Sequence, residues 1–574
     1  MLTVAKWRPA LVLCGLGLAF LGLAARAVYL QVVPLGKIPE GQRNAHLIKV
    51  KLPAHRGPVT DRHGEFLAVS MPVDSVWVDT AAFFPGGNDR VEALSEAIGY
   101  SSEHIQRRLS RYMHMGHVSL RRHMPPKKAA RVMALNVPGV YLRRDYRRFY
   151  PRGPISGHVL GFTNVDDEGQ EGLELAYDAH LRSRDGLHLM VRNRLGQIVS
   201  GVRRLKPSKP GASLTTTLDL RIQHLAFQAL AEAMEERSAK SGSVVVLDVA
   251  TGEILAMVNH PVYNPNDRSQ LLVELYRNRA VTDIFEPGSS LKPFIAAAAL
   301  ESGRYTSDSI VDTAPGRLIV GNKEITDPRS YGPLSMGGIL QKSSNVGISK
   351  VALDLESREL WSVLVRLGFG SLTTSGFPGE SAGLLNSYVH WRPLQQATLA
   401  YGYGLSVTPL QLAQAYAVIG AQGVRYPVTF VRRDKPVRGE RVLSESTAEQ
   451  LLAMLETVVA PEGTGHRARL EAYRVAGKTL TARKYAAGGY STERHVTGFA
   501  GVAPASSPRL AVVVVIDEPE GTDNSGGKVA APVFADVMRG ALRMLAVAPD
   551  QAPARTAEKA IREHVAVATA GEES

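Results

Sequence analysis

The sequence predicts a mixed α/β (α+β) protein, with one antiparallel sheet flanked by helices, an extended N-terminal module and one N-terminal transmembrane helix. Three observations predict it: an apolar stretch near the N-terminus, an irregular basic region, and a C-terminal half where buried strands alternate with helices. The 574 residues are 44% apolar and 21% charged, which disfavours disorder throughout and a polytopic membrane protein. The single cysteine excludes a disulfide framework and cysteine-based metal or redox sites.

The first predicted element is a membrane anchor over residues 9–33, after a cytoplasmic tail of residues 1–8. Pro9–Ala25 carries no charge and follows two basic residues, and together with the apolar residues after it this stretch can span ~30 Å of hydrocarbon. The alternative is a cleaved signal peptide, because Ala25-Arg26-Ala27 imitates a cleavage site, although the apolar stretch is long for one. The positive-inside rule then leaves the bulk of the chain outside the cytoplasm, in the periplasm.

Residues 40–225 are predicted to form an extended pedestal of mixed α/β structure. Within it, residues 56–68 are interpreted as a turn, formed by Asp61 and Gly64, that leads into a strand. Residues 101–210 hold 21 Lys and Arg against 9 Asp and Glu. This basic block is either a solvated face or a surface for the membrane or a protein partner. Nucleic acid is disfavoured, because no nucleic-acid-binding motif accompanies the charge.

The second large domain is predicted over residues 235–546, with a flexible tail over residues 547–574. Its predicted elements, with the helix that leads into it, are a helix at Leu220–Glu236 capped by Asp219, a hairpin of Ser243–Asp248 and Glu253–Val258, a buried strand at Ala511–Ile516, and a helix from Pro532 to Leu545. One antiparallel sheet with a largely helical middle accounts for this order of elements.

A serine and a lysine that can act together stand at the start of a strongly helix-forming segment, Phe294–Leu300. Ser289 and Lys292 are three residues apart, so a helix places them on one face. The helix N-terminus and partial burial both lower the pKa of such a lysine, which can then take the hydroxyl proton. Alone, the pair is also compatible with an ordinary capped helix.

Two further motifs follow in order: Ser343-Ser344-Asn345, in a helical region 54 residues after Ser289, and Lys478-Thr479-Leu480-Thr481, in a predicted strand. Ser-x-x-Lys, Ser-x-Asn and Lys-Thr-x-Thr in this order are the signature of the serine penicillin-recognising enzymes. The chain resembles the class B penicillin-binding proteins over nearly its whole length, and most closely their division-specific type. Residues 401–412 favour that type over the elongation type.

The resemblance implies a penicillin-binding transpeptidase fold and a peptidoglycan D,D-transpeptidase that cross-links the septal wall. It assigns these roles: Ser289 attacks the penultimate D-Ala carbonyl, Lys292 is its base, Ser343 relays a proton to the leaving amine beside Lys478, Asn345 binds the substrate amide, and Thr479 and Thr481 hold the terminal carboxylate. Implied partners are peptidoglycan stem peptides, β-lactams, an FtsW-type glycosyltransferase, other divisome proteins and the inner membrane. The resemblance implies no metal, cofactor or nucleic acid.

One residue departs from the family pattern, since Leu480 stands where the family has glycine. Alternation along a strand puts Leu480 on the same face as Lys478 and opposite Thr479 and Thr481. A leucine there can displace Lys478, shift the strand or narrow the cleft, because a strand glycine often marks a close approach. A catalytically impaired scaffold or a specialised paralogue is therefore the alternative function.

A serine β-lactamase or penicillin sensor is a second alternative. The long pedestal argues against a β-lactamase, and so does the sequence around Glu380. This glutamate lies between the second and third motifs but is followed by Ser-Ala-Gly, which does not form a deacylation motif.

Overall fold

The computed structural model describes residues 7–32, 47–84, 87–192, 198–433, 435, 437–486 and 489–551. Its contacts divide the chain into two compact units, residues 1–54 with 183–210, and residues 55–182 with 211–574. The second unit thus contains most of the predicted pedestal together with the whole of the predicted C-terminal domain. Most of the predicted tails, residues 1–6 and 552–574, lies outside the described residues.

Nineteen strands and nineteen α-helices are described, and they are numbered here in chain order. The strands are β1 Leu47–Leu52, β2 Val59–Thr60, β3 Phe66–Asp79, β4 His117–Met124, β5 Val140–Phe149, β6 Gly186–Arg192, β7 Ile198–Lys206, β8 Leu214–Thr215, β9 Ser241–Asp248, β10 Ile254–His260, β11 Ile310–Asp312, β12 Arg317–Val320, β13 Lys323–Thr326, β14 Pro333–Ser335, β15 Val424–Arg425, β16 Glu440–Arg441, β17 Ala476–Ala486, β18 Gly489–Ala503 and β19 Leu510–Asp517. The helices are α1 Trp7–Val32, α2 Thr80–Phe83, α3 Gly87–Ile98, α4 Ser102–Tyr112, α5 Pro126–Ala134, α6 Gly153–Leu160, α7 Gly172–Ala176, α8 Asp178–Leu181, α9 Leu220–Glu236, α10 Val273–Tyr276, α11 Arg279–Thr282, α12 Lys292–Glu301, α13 Met336–Lys342, α14 Asn345–Asp354, α15 Ser357–Arg366, α16 Pro393–Leu399, α17 Pro409–Gly420, α18 Glu445–Val459 and α19 Gly526–Met544.

The first unit holds the N-terminal helix α1 and an antiparallel sheet in the order β1-β6-β7. Within α1, Ala10–Tyr29 has a mean hydropathy of 2.1. By length and composition it can cross a membrane, and it is the one helix of that kind in the part of the chain that the structure describes. The predicted apolar helix is confirmed.

The pedestal part of the second unit is built on a sheet in the order β4-β3-β2-β8, with β5 paired to β3. The predicted turn and strand of residues 56–68 are confirmed. The Asp61 carboxylate accepts hydrogen bonds from the backbone N–H groups of His63 at 2.8 Å and Glu65 at 2.9 Å, which close the turn before β3. Because the turn is closed by a side chain, the chain reverses directly into the long strand.

A buried cluster of charges holds three distant segments of the pedestal together. Glu174, fully buried in α7, accepts hydrogen bonds from Arg56 Nε at 2.7 Å and Arg148 Nε at 2.6 Å. Arg56 Nη1 also donates to Asp178 at 2.7 Å. Two guanidinium groups out of water require such partners, since an unpaired buried charge costs several kcal/mol.

A five-stranded antiparallel sheet, in the order β10-β9-β19-β18-β17, forms the centre of the C-terminal domain. Along β9 the valines alternate: Val244 and Val246 pack in the core with α9 and α19, whereas Val245 packs in the core with α12 and α17. The strands therefore have helices on both faces. This arrangement confirms the predicted fold class of one antiparallel sheet flanked by helices.

Most predicted elements of this domain are confirmed. Helix α9 has the predicted bounds, Leu220–Glu236, and is capped by Asp219, whose side chain accepts a hydrogen bond from Arg221 N. The last helix, α19, begins at Gly526 rather than at Pro532, because Pro532 lies inside the helix. All twelve residues of α17 are buried, which makes it the central helix of this core.

We expect Glu174→Gln to lower the free energy of unfolding by about 3–5 kcal/mol, because it leaves two buried guanidinium groups without their shared carboxylate. The measurement is chemical denaturation of the detergent-solubilised full-length protein. Glu168→Gln, which changes an exposed partner of Arg182, is the matched control and should cost at most about 1 kcal/mol. Equal destabilisation by the two variants would contradict the assignment.

Candidate active site

Ser289 lies in a turn of 3-10 helix, Gly288–Leu291, directly before α12. The turn rests on neighbouring backbone: Gly288 N donates to Gly402 O at 3.3 Å, and Tyr416 Oη donates to Ser290 O at 3.0 Å. A Cβ on Gly402 would stand 2.1 Å from Gly288 O, so only glycine allows this approach. Ser289 thus precedes the α-helix by one tight turn, where the sequence predicted that it begins the helix.

Lys292, the first residue of α12, is completely buried. Its Nζ donates to Ser343 O at 2.5 Å, Asn345 Oδ1 at 2.7 Å and Ser343 Oγ at 3.2 Å. Burial, followed by the charge of Lys478, holds the pKa of Lys292 well below its ordinary value, and Asp327 opposes this shift. Lys292 therefore loses its proton far more easily than a solvated lysine.

Within the predicted helical region, Ser343 and Ser344 form a break between two helices, and Asn345 begins the second of them. Ser343 has φ of 58° and ends α13, and the side chain of Ser344 caps α14 by accepting from Gly347 N. A non-glycine residue in this left-handed conformation costs of order 1 kcal/mol or more. The break turns the Ser343 carbonyl towards Lys292.

Asp327 holds this break in place, and no sequence motif identified it. Its Oδ1 accepts from Asn345 N at 2.5 Å and Val346 N at 3.2 Å, and its Oδ2 accepts from Ser344 Oγ at 2.5 Å. The signal that could have found it is chemical: a helix start offers unpaired N–H groups, which need an acceptor from elsewhere in the chain.

The third motif lies on β17, as predicted, at the edge of the central sheet. Lys478 is completely buried, and its Nζ donates to Thr479 Oγ1 at 3.0 Å. Burial lowers the pKa of Lys478 to about 7. Thr481 is exposed, and its Oγ1 accepts from Gly526 N, the first residue of α19, at 3.1 Å.

Leu480 points into the core, on the face of β17 that the alternation predicts. Its side chain is 1% exposed and packs in the core with α12 and α17, whereas Thr481 and Arg483 on the other face are exposed. Pairing with β18 runs without a bulge from Ala476 to Arg483, and Leu480 stands opposite Gly498. The leucine therefore leaves the strand regular.

A groove of about 320 Å³ joins the three motifs at the surface. Ser289, Asn345 and Thr481 line it, and Lys292, Ser343, Lys478 and Thr479 lie among or beneath these residues. Ser289 Oγ makes no hydrogen bond to any residue that the structure describes. Sequence reasoning also missed three tyrosines of the groove wall, Tyr401, Tyr403 and Tyr490, and the acid Glu286, which accepts a hydrogen bond from Tyr490 Oη.

A larger cavity of about 830 Å³ adjoins the groove and shares Arg483 and Tyr490 with it. It contains none of the predicted site residues, so the groove is the candidate site. Within the described part of the chain, no three His, Cys, Asp or Glu side chains are grouped so that they could hold a metal ion.

Glu380, the acid considered for deacylation, makes its hydrogen bonds within its own loop. It accepts hydrogen bonds from Thr373 N at 2.7 Å and from Ser375 Oγ at 2.6 Å, and it does not line the groove. The geometry therefore gives no support to a β-lactamase.

Family models and known relatives match most of the chain. A family model described as the penicillin binding protein transpeptidase domain matches residues 242–539, and one described as the penicillin-binding protein dimerisation domain matches residues 51–216. The peptidoglycan D,D-transpeptidase FtsI of Escherichia coli is 40% identical over 95% of this chain and 93% of its own. The probable peptidoglycan D,D-transpeptidase PenA of Neisseria meningitidis is 39% identical over 94% of this chain and 93% of its own.

Solved structures give the same picture. The transpeptidase domain of penicillin-binding protein 3 from Burkholderia pseudomallei matches with a TM-score of 0.55 and 40% identity, covering 59% of this chain and 98% of that one. A peptidoglycan synthetase from Bifidobacterium adolescentis matches 88% of this chain and 98% of its own, with a TM-score of 0.70. At 24% identity this second likeness concerns the fold alone.

We expect Leu480→Gly to destabilise the protein by about 3–5 kcal/mol, because it empties a fully buried site and loosens the strand. Leu372→Gly, at a leucine that is 55% exposed, is the matched control. The measurement is the thermal unfolding transition of each variant, with penicillin labelling on the same sample. A stable Leu480→Gly variant that labels much faster than the parent would instead make Leu480 an obstruction in the site.

Proposed function

The chain belongs to the class B penicillin-binding proteins of the division type, and from this premise we propose that it cross-links septal peptidoglycan through a serine acyl-enzyme. The relatives named peptidoglycan D,D-transpeptidases support this function. The observation that carries it is the groove, where Ser289, Asn345 and Thr481 lie together above two buried lysines. The protein is a serine-type acyltransferase.

The proposed first step is attack by Ser289 Oγ on the carbonyl of the penultimate D-Ala in a stem peptide. Lys292 in its neutral form takes the hydroxyl proton, and its depressed pKa supports this role. The peptide C–N bond breaks, an ester forms on Ser289, and the leaving D-Ala amine receives a proton through Ser343 beside Lys478. A general base of this kind contributes roughly 10²–10⁴-fold to the rate.

The second step is attack by an amine of a neighbouring stem on the ester. A new peptide bond forms, Ser289 regains its proton, and the two stems are cross-linked. The ester conserves the energy of the broken peptide bond, so the reaction balances without a nucleotide or a metal.

Substrate binding is proposed to use the outer edge of β17. An edge strand offers unpaired N–H and C=O groups to an extended peptide, and β17 is the last strand of its sheet. Asn345 would bind the substrate amide, and Thr479 and Thr481 the terminal carboxylate. The backbone N–H groups of Ser289 and Thr481 would stabilise the oxyanion by ~3 kcal/mol per donor.

The alternative of an impaired scaffold gains no support. Leu480 leaves β17 regular, Lys478 stays buried beside Thr479, and every other residue of the three motifs is present. No motif group is missing and β17 is not displaced from its pairing among these residues.

The chain is a single-pass membrane protein, anchored by α1. We place the bulk of it in the periplasm, where peptidoglycan is found, since two basic residues precede the apolar stretch. Stem peptides and β-lactams fit the transpeptidase family as ligands. An FtsW-type glycosyltransferase and other divisome proteins are the proposed protein partners, through α1 and the pedestal.

We expect a fluorescent penicillin to label the full-length protein in detergent, and Ser289→Ala to abolish the label because the attacking oxygen is gone. Lys292→Ala should slow labelling by about 100- to 10,000-fold. The rate of covalent labelling is the measurement, with unfolding transitions recorded to exclude misfolded protein. An unlabelled parent, or label that survives in Ser289→Ala, would overturn the proposed function.

We expect the acylation rate to fall as the pH falls, because Lys292 acts in its neutral form and is protonated below its depressed pKa. In Lys478→Met the repelling charge is lost, the pKa of Lys292 rises, and the midpoint of the profile moves to higher pH. The measurement is the labelling rate from about pH 5 to pH 9. A rate that rises as the pH falls would exclude Lys292 as the base.

A further inference from the structure

Asp327 connects a surface hairpin to the catalytic segment. It follows β13, whose pairing with β12 forms the hairpin, and its own backbone N–H donates to Gly316 O at 3.0 Å. From that position its carboxylate accepts three hydrogen bonds, from Ser344 Oγ, Asn345 N and Val346 N, at 2.5, 2.5 and 3.2 Å. The hairpin thereby holds the start of α14.

The same hairpin also sets the rotation of the Asn345 side chain. Asn345 Nδ2 donates to Thr326 O, the residue before Asp327, at 3.3 Å, which leaves Oδ1 to accept from Lys292 Nζ at 2.7 Å. Reversal of this amide would place a donor against the lysine. Asp327 and Thr326 thus determine which atoms Lys292 meets.

Two features of the break create the need for an anion at this position. The left-handed Ser343 separates α13 from α14, so the first N–H groups of α14 have no helical partners. A helix start also favours negative charge. Ser344 accepts from Gly347 N at 2.9 Å, and Asp327 takes the two N–H groups before it, which fixes the strained segment.

We propose that Asp327 is a positioning residue for acylation, which holds Ser343 and Asn345 in the arrangement that binds Lys292. The inference rests on the proposed function, because its consequence is a rate of acyl transfer. Asp327 acts through Asn345 and Ser344 and does not line the groove.

The charge of Asp327 also affects the pKa of Lys292, and this effect can be measured. The charged groups that face Lys292, among the residues described, are Lys478 from β17 and Asp327 from the hairpin. Burial and Lys478 lower the pKa of Lys292, and Asp327 raises it. Removal of the Asp327 charge therefore lowers that pKa further, and the acid limb of the acylation profile should move to lower pH.

The test compares Asp327→Asn, Asp327→Ala and a control, Asp312→Asn, in the full-length protein in detergent. Asparagine keeps an oxygen for the N–H groups of Asn345 and Val346, but it loses the charge and presents an NH2 donor to Ser344 Oγ in place of the Oδ2 acceptor. Alanine loses the charge and both oxygens. Asp312 is an exposed acid of β11 whose side chain caps Ala314 N, so its neutralisation should leave rate and profile unchanged. Penicillin labelling rates are measured against pH, with thermal unfolding for each variant.

We expect Asp327→Asn to keep its high-pH rate within about threefold and to shift the midpoint down by about half a pH unit or more. Asp327→Ala should lose about 10- to 100-fold in the high-pH rate, as expected for lost hydrogen bonds to a charged group. If Asp327→Ala fails to fold, the shift in Asp327→Asn decides. An unmoved midpoint in Asp327→Asn, with or without a lower rate, overturns the proposal.

Labelling of the unmutated protein, the parent, distinguishes failure of this inference from failure of the proposed function. A parent that labels, with the label lost in Ser289→Ala, supports the function whatever the Asp327 variants do. Variants that behave like Asp312→Asn then overturn only the role of Asp327. A parent that does not label overturns both.

Discussion

The burial of the Lys292 amine is the constraint on which the rest of the site depends. An ammonium group out of water costs several kcal/mol unless acceptors surround it or it releases its proton. Lys292 meets both conditions. Its amine donates to two oxygens of Ser343 and one of Asn345, and its pKa is strongly lowered. The break in the helix at Ser343 presents these acceptors, and an acid from another element, Asp327, caps the helix that follows the break.

The second buried lysine acts on the first. Lys478 enters from the edge strand β17, and its charge disfavours a charge on Lys292. With a pKa of about 7, Lys478 is itself close to equal populations of its two forms near neutral pH. Two amines in one dry region cannot both keep their protons at low cost, and such a pair is suited to proton movement between a nucleophile and a leaving amine. The sheet therefore supplies one of the two amines, Lys478, and helix α12 supplies the other, Lys292.

Local patterns in the sequence predicted much of this arrangement, and distant contacts account for what they missed. Helix α9, the strands of the sheet and the positions of Ser289 and Lys478 follow from periodicity, capping residues and motif order. The left-handed Ser343 was missed because helix-forming neighbours on both sides conceal it. Asp327 lies 17 residues from Ser344, and Arg56 lies 118 residues from Glu174. No periodic pattern connects such partners, because the fold alone brings them together.

Leu480 shows why the two faces of one strand tolerate different residues. On one face, the first turn of α19 rests on the β17 and β18 backbones, and a Cβ on Gly526 would stand 2.3 Å from the carbonyl oxygens of both Leu480 and Gly498. The position of Gly526 on that face therefore needs glycine. The other face meets an apolar core, where Leu480 is buried. A leucine in place of the family's glycine therefore adds packing on the side away from α19, and the close approach of α19 to β17 depends on Gly526 instead.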